Sequence, residues 1–262
     1  MILGFFFFWY LLQTWKSERS LWRRNELRLI AGFLIGIWWL FSQAHSATSS
    51  ISLIVGILIV VFVGIRSVNK NLIGTYLLSA LVLLVAAELA FGISGRLSES
   101  LGRGTDLTGR TELWEYCLQF QDNPIVGAGF ESFFLGDRRD KIAAFYRKWR
   151  PGGAHNGYLS IYLNLGLIGL SLLIVLLIAT FWKIRLELFR NFQWGRFRLG
   201  FLVAVALRAW TEETFATYGA LWFVFYIIAL DYPRTYLTTV DPSVGGSRSE
   251  EGREFAYAED EL

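Results

Sequence analysis

Residues 158–182 read YLSIYLNLGLIGLSLLIVLLIATFW, and this stretch decides the class of fold. It contains no Asp, Glu, Lys or Arg, and more than half of its side chains are Leu or Ile. An α-helix rises about 1.5 Å per residue, so about 20 apolar residues cross the hydrocarbon core of a bilayer. The stretch therefore predicts a transmembrane helix.

The composition of the whole chain is that of a membrane protein. Of its 262 residues, 54% are hydrophobic, 17% aromatic and 18% charged, and the mean hydropathy is +0.41. Soluble domains usually contain about 25% charged residues. These values exclude a soluble globular protein, a disordered chain, collagen and a nucleic-acid-binding domain. The single Cys117 excludes an internal disulfide framework and a Cys-based metal cluster.

Further apolar stretches predict spans at residues 27–43, 51–65, 72–91, 197–210 and 215–230. Residues 1–15 are also apolar and lack the features of a signal peptide, so they are typical of the end of a transmembrane helix. We therefore expect an all-α, polytopic bundle of about seven transmembrane helices. Helices 1–4 occupy residues 1–91, and helices 5–7 occupy residues 158–230. Residues 92–157 form a long extracytoplasmic loop with short helices, and residues 231–262 a disordered, acidic cytoplasmic tail.

The orientation follows from the cationic residues of the short connections, which concentrate on the cytoplasmic side. If seven spans alternate, one side carries Lys16, Arg19, Arg23, Arg24, Arg28, Arg66, Lys70, Lys183, Arg185, Arg190, Arg196 and Arg198. The opposite connections, residues 42–50 and 211–214, contain no Lys or Arg. The first side is therefore predicted to be cytoplasmic. Met1 then lies outside, within an apolar run, so either upstream helices of a larger fold precede it or the chain has a short first helix.

Four motifs follow one another along the external loop and the next helix. They are GRTELW at residues 109–114, NPIVGAGF at 123–130, HNG at 155–157 and NLGLIGL at 164–170. In this order they resemble the O-antigen ligase and polymerase family of bacterial membrane glycosyltransferases. Two weaker features also resemble the family: SQAHS at residues 42–46, with His45 where a fixed cation is usual, and TEE at 211–213.

The resemblance implies an enzyme of the bacterial inner membrane with the loop as its catalytic region. It implies transfer of a glycan from an undecaprenyl-diphosphate carrier to an acceptor hydroxyl of a glycan, lipid or protein outside the cytoplasm, without a cofactor. The sequence contains no Asp-x-Asp, Gly-Lys-Ser/Thr or His-Glu-x-x-His motif, which favours chemistry without a metal ion. A membrane transporter and an inactive, truncated remnant are the competing interpretations.

Two loop residues are the candidates for catalysis. Gly109 and Thr111 flank Arg110 as a turn and helix cap, so we expect Arg110 to open an external helix over residues 111–121. Its planar guanidinium fits a pair of diphosphate oxygens. His155 precedes a membrane helix, where it is either an interfacial residue that caps the helix or a general base or phosphate ligand.

Other polar residues are candidates for binding the diphosphate or the substrate. Arg208 and Glu212 are four residues apart, so we expect them on one helix face, either as a structural ion pair or lining a polar cavity. Trp114 could stack on a sugar, whereas Cys117 is expected to pack in a core. The set is completed by His45, by Asn156 of the His-Asn motif, and by Arg103, for which a solvated loop arginine is the alternative.

Overall fold

The structure, a computed structural model, describes residues 1–15, 21–44, 47–91, 106–146, 152–213, 215 and 219–230. Its helices are α1 (Ile2–Trp15), α2 (Leu21–Ala44), α3 (Ala47–Val63), α4 (Ile73–Phe91), α5 (Asp106–Gln119), α6 (Gly136–Tyr146), α7 (Gly157–Arg190), α8 (Phe192–Ala209) and α9 (Ala220–Ala229). A 3₁₀ turn, Lys70–Leu72, precedes α4. The described residues contain no strand, so the predicted all-α class is confirmed. The predicted tail, residues 231–262, lies outside the described residues.

Each predicted span contains a helix, although the bounds differ. The helix predicted over residues 158–182 continues to Arg190, and the last predicted span is shorter, Ala220–Ala229. Among the described residues, one helix, Gly157–Arg190, is long and apolar enough to cross a membrane. The mean hydropathy of its apolar 18-residue window is 2.6. Shorter apolar helices are found at Ile2–Thr14, Thr48–Val63, Lys70–Leu83 and Ala220–Ala229. The number of crossings and their orientation stay predictions.

Small residues bring α3 and α8 into close contact. A Cβ added to Gly56 would lie 2.9 Å from the Gly200 carbonyl oxygen, and one added to Gly200 would lie 2.6 Å from the Gly56 carbonyl oxygen. Such close backbone approach is typical of helices packed in membranes, where small residues lie at the crossing. Phe5 of α1 packs against the same region of α8, with ring centroids 5.3 Å from Phe197 and 5.7 Å from Phe201.

Large apolar side chains cover the outer faces of the helices. Trp38 on α2 is 73% exposed, and Leu172 on α7 is 65% exposed. Soluble monomers rarely expose contiguous apolar surface of this kind, whereas it suits a face in contact with lipid. The outer faces therefore agree with a location in a bilayer.

The described residues between α4 and α7 form a separate small core with the start of α7. Its buried side chains come from α5, from α6 and the segment before it, and from both sides of the start of α7: Leu113, Cys117, Phe133, Ile142, Ala154 and Leu163. The described part of this segment is therefore packed onto the start of α7 through its own apolar contacts.

The predicted start of the external helix was wrong. Helix α5 begins at Asp106, so Arg110 lies in its second turn and does not open it. A glycine inside a helix costs only about 1 kcal/mol relative to Ala, and burial of Leu113 and Cys117 on one face of α5 is sufficient to offset that cost at Gly109.

Candidate active site

Helix α7 is broken at Gly166, where φ is 63° and ψ is −160°. The segment after α5, residues 123–129, docks at the break. The N–H groups of Leu167 and Ile168 donate to the carbonyls of Pro124 (2.8 Å) and Ile125 (3.1 Å). The N–H groups of residues 128 and 129 donate in turn to the carbonyls of residues 163 and 164, at 3.0 and 2.8 Å. These bonds satisfy backbone groups that the break releases, which is required wherever water is scarce.

Two glycines make this docking possible. Gly127 has φ 72° and Gly166 has φ 63°, a region that other residues adopt only at a cost. A Cβ at Gly127 would overlap the backbone of Asn164, and one at Gly166 would overlap the backbone of Ile125. The first glycine of the Gly-x-Gly motif and Gly166 of α7 therefore form the two sides of one backbone contact.

Asn164 connects this contact to the start of α7. Its side chain is buried, its Oδ1 accepts from the N–H of Phe133 at 3.0 Å, and its Nδ2 donates to the carbonyl of Ser160 at 2.8 Å. Buried polar groups need such partners because an unpaired one costs about 1–3 kcal/mol. The break, the loop and the first turns of α7 thus form one connected unit.

His155 lies at the end of the loop with φ 50°, an unusual conformation for a residue with a side chain. Asn156 is the N-cap of α7, and its Oδ1 accepts from the N–H groups of Tyr158 (3.0 Å) and Leu159 (3.1 Å). On the other side of His155, the indole Nε1 of Trp114 donates to the Ala154 carbonyl at 2.8 Å. Both neighbours of His155 are therefore held by hydrogen bonds.

The segment after α8 receives contacts from both predicted catalytic residues. Arg110 Nη1 donates to the carbonyl of Thr211 at 2.7 Å. The backbone N–H of His155 donates to Glu213 Oε1 at 3.3 Å, and the Ser160 hydroxyl donates to the same oxygen at 3.0 Å. Arg110 and His155, 45 residues apart by their numbering, thus meet on one short segment.

A polar cavity of about 340 Å³ opens beside this segment. Its lining is His155, Arg208, Glu212, Glu213, Gly219, Ala220 and Leu221. Arg208 also donates from Nη1 to the hydroxyl of Ser49 on α3. The cavity therefore has a cation, two carboxylates and an imidazole on its walls.

An apolar groove of about 430 Å³ shares Arg208 with the polar cavity. Apart from Arg208, its lining comes from α1, α2 and α9 and from the first residue: Met1, Ile2, Leu3, Gly4, Ile37, Leu40, Phe41 and Leu221. A guanidinium thus lies where an apolar surface and a polar cavity meet.

The structure brings together three of the predicted site residues in the cavity, His155, Arg208 and Glu212. Arg208 and Glu212 line the same cavity, as one of the two expectations had it, although α8 ends at Ala209 and Glu212 lies in the turn that follows. The side chains of these two described residues form no ion pair with each other, and the Glu212 N–H donates to the Arg208 carbonyl at 3.0 Å, the bond of a further helical turn.

The remaining predicted residues have other positions. Trp114 is half-buried and Asn156 buried, and each uses its polar group in the hydrogen bonds given above. Their roles in substrate binding stay predictions, as does the catalytic role of Arg110, which contacts Thr211 and does not line the cavity. His45 and Arg103 lie outside the described residues. Sequence reasoning missed Glu213 and Ser49, and nothing in the TEE motif distinguishes its second carboxylate from its first.

Cys117 has no access to the cavity. Its side chain is fully buried, and burial, followed by the charge of Glu213, raises the pKa of its thiol to about 12. A thiol with such a pKa is a poor nucleophile, so the expected role in core packing is confirmed. The described residues contain no group of three or more His, Cys, Asp or Glu side chains that could hold a metal ion.

The chain is similar in sequence to a protein family and to an exopolysaccharide production protein. The family model described as O-antigen ligase matches residues 30–174, which include most of α2, all of α3 to α6 and the broken part of α7. The exopolysaccharide production protein ExoQ of Rhizobium meliloti (strain 1021) is similar, with 26% identity over 161 residues. The matched region is 58% of this chain and 36% of that protein, so the chain spans well under half of its relative.

Proposed function

The chain belongs to the O-antigen ligase family, since the family model covers more than half of its length, and we propose that it is a membrane glycosyltransferase. It transfers a glycan from an undecaprenyl-diphosphate carrier to an acceptor hydroxyl, by ligation or polymerisation. The reaction takes place at the external face of the bacterial inner membrane. The similarity to an exopolysaccharide production protein supports a polysaccharide as the product.

The observation that carries this proposal is the position of Arg208. A lipid-diphosphate donor has a long apolar chain, two anionic phosphates and a polar glycan in that order. The apolar groove, the Arg208 guanidinium and the polar cavity follow one another in the same order. A charge at membrane depth costs several kcal/mol and is seldom kept without a partner or a function. An anionic headgroup between two cavities gives Arg208 that function.

The chemistry needs a cation at the leaving group and a base at the acceptor. The acceptor oxygen attacks the anomeric carbon, a new C–O bond forms, and the bond from that carbon to the diphosphate oxygen breaks. The lipid diphosphate leaves with the electron pair, and Arg208 stabilises its charge, aided by Arg110, which contacts the neighbouring residue Thr211. The hydroxyl proton passes to the imidazole of His155, which lines the cavity.

Replacement of Arg208 by lysine tests the proposal. The Arg208 guanidinium can donate to Ser49 and to a phosphate at once, whereas an ammonium lacks the planar fork needed for both. We expect Arg208→Lys to lower turnover by a factor of about 10²–10³. The measurement is glycan transfer from a lipid-diphosphate donor in membranes that contain equal amounts of each variant. Arg139→Lys, at an exposed arginine of α6, is the matched control.

His155→Ala provides the second arm of the same assay. Loss of the base should lower turnover while donor binding is retained, because the phosphate contacts belong to the arginines. Wild-type turnover in both Arg208→Lys and His155→Ala would contradict the proposal and favour the transporter interpretation.

We further propose that transfer does not need a metal ion. The cations of Arg110 and Arg208 take the place that a divalent ion has in other glycosyltransferases. Purified protein should keep its activity in excess EDTA. Activity that EDTA abolishes and magnesium or manganese restores would contradict this part of the proposal.

A further inference from the structure

The carboxylate of Glu213 lies where three segments meet: the end of the external loop, the start of α7 and the residues after α8. One of its oxygens, Oε1, accepts from the Ser160 hydroxyl at 3.0 Å and from the His155 N–H at 3.3 Å. The carboxylate also lies against Gly153, where an added Cβ would overlap its atoms. A residue without a side chain at position 153 thus leaves the space that Glu213 fills.

The backbone of His155 needs such a contact. Its φ of 50° is in the left-handed region, which costs a residue with a side chain about 1–2 kcal/mol. Strained conformations of this kind persist only where the surroundings hold them. At His155 the strain coincides with a residue that lines the polar cavity.

Residues 154–156 are held by hydrogen bonds from the side chains of Trp114, Asn156 and Glu213, which lie on different sides of this segment. Trp114 binds the Ala154 carbonyl from α5, and Asn156 caps α7 with its own side chain. Glu213 binds the N–H of His155 itself, and of these three residues it is the one that lines the cavity. A change in Glu213 should therefore alter the direction of the imidazole more than the fold of the loop.

We propose that Glu213 is a positioning residue for His155. Its carboxylate fixes the backbone conformation from which the imidazole reaches the acceptor hydroxyl. The inference rests on the proposed function, in which His155 is the general base. A displacement of about 1 Å at a reacting group can lower the rate by a factor of about 10².

Substitution of Glu213 separates positioning from binding. We expect Glu213→Ala to lower kcat by a factor of about 10² and to leave KM for the lipid-diphosphate donor unchanged. Glu213→Gln keeps an oxygen that can accept from His155, so its kcat should lie well above that of Glu213→Ala. A Gln variant as slow as the Ala variant would overturn the proposal, as would a change confined to KM.

Two neighbouring glycines supply a test that leaves Glu213 in place. A Cβ at Gly153 would displace the carboxylate, whereas a Cβ at Gly152 meets nothing within 4 Å. We expect Gly153→Ala to lower kcat as Glu213→Ala does, with KM unchanged, and Gly152→Ala to keep the wild-type kcat. If Glu213→Ala does not accumulate in membranes, the kcat values of Gly153→Ala, Gly152→Ala and Glu213→Gln test the proposal without it. Equal kcat in the two glycine variants would contradict the proposal.

The double variant His155→Ala/Glu213→Ala shows whether Glu213 acts through His155. Residues that act as one unit are not additive, so the double variant should be no slower than His155→Ala alone. A further large loss would overturn the positioning role. Failure of the proposed function looks different, because the wild-type protein would then transfer no glycan from the donor. Wild-type kcat in Glu213→Ala and Gly153→Ala, with His155→Ala inactive, would refute this inference alone.

Discussion

Arg110 and Arg208 carry the same guanidinium and use it differently. Arg110 donates to a backbone carbonyl, that of Thr211, and so holds the segment that carries Glu212 and Glu213. Arg208 donates to a hydroxyl, that of Ser49, and lines both the polar cavity and the apolar groove. The first arginine holds a segment that lines the site, whereas the second lies where an anionic headgroup would be bound.

The buried thiol of Cys117 should resist alkylation. With a pKa of about 12, raised by burial and then by the charge of Glu213, it stays protonated at physiological pH. We expect N-ethylmaleimide at pH 8 to modify it only after the protein is unfolded by heat, as measured by mass spectrometry. Ser67→Cys, at an exposed position between α3 and α4, is the reactive control.

The same pKa difference affects stability at high pH. The folded state keeps the thiol proton to about pH 12, whereas the unfolded state loses it near the ordinary value of 9.0. The folded state thus binds more protons between these values, so this contribution is complete below pH 9.0 and is lost as the pH rises toward 12. For the alkylation test described above, rapid reaction of Cys117 with N-ethylmaleimide in the folded protein would contradict the buried position of this side chain.

Among the helices, α7 is unusual because its interruption is stabilised by another segment. Its freed N–H and C=O groups bond to residues 124–129 and not to one another. An unpaired buried backbone group costs about as much as a lost hydrogen bond. The break in α7 and the fold of the loop should therefore form together or not at all.

Alanine at Gly127 tests this dependence. Its Cβ would overlap the Asn164 backbone at a residue with φ 72°, so we expect Gly127→Ala to lower the free energy of unfolding by more than about 3 kcal/mol. Gly136 has a similar φ of 59° with nothing within 4 Å of an added Cβ. Gly136→Ala should therefore cost only about 1–2 kcal/mol for the backbone strain. Thermal unfolding of both variants in detergent measures the difference, and equal midpoints would show that the loop does not dock in the break.

For the chain as a whole, the distribution of charge predicts the orientation in the membrane. The cationic residues of the short connections should be cytoplasmic and α6 external. In intact cells, an impermeant maleimide should label Asp137→Cys on α6 but should label Ser67→Cys only after the membrane is permeabilised. Both positions are exposed in the structure, so accessibility of the side chain does not limit either reaction. Labelling of Ser67→Cys alone in intact cells would reverse the orientation.

Much of the fold could be predicted from the sequence because helices depend on local information. An apolar run such as residues 158–182 satisfies its backbone hydrogen bonds within itself, so its length and composition suffice to predict a helix. The motifs from Arg110 to Gly169 likewise allowed the family to be inferred, and the family comparison confirmed it. The start of α5 was misjudged because Gly109 resembled a boundary, and only burial of Leu113 and Cys117 shows why the helix passes through it.

The site itself depended on contacts between distant segments. Arg110 and Thr211 are 101 residues apart, and His155 and Glu213 are 58 apart. Composition and periodicity carry no information about which of two adjacent glutamates will accept a hydrogen bond from His155. The break at Gly166 likewise could not be predicted from the sequence. A glycine in a helix departs from helical geometry only when another segment forms hydrogen bonds with the freed backbone groups. The helices thus follow from interactions within each segment, whereas the cavity exists only because packing brings together the end of the loop, the end of α8, the residues after it and the start of α9.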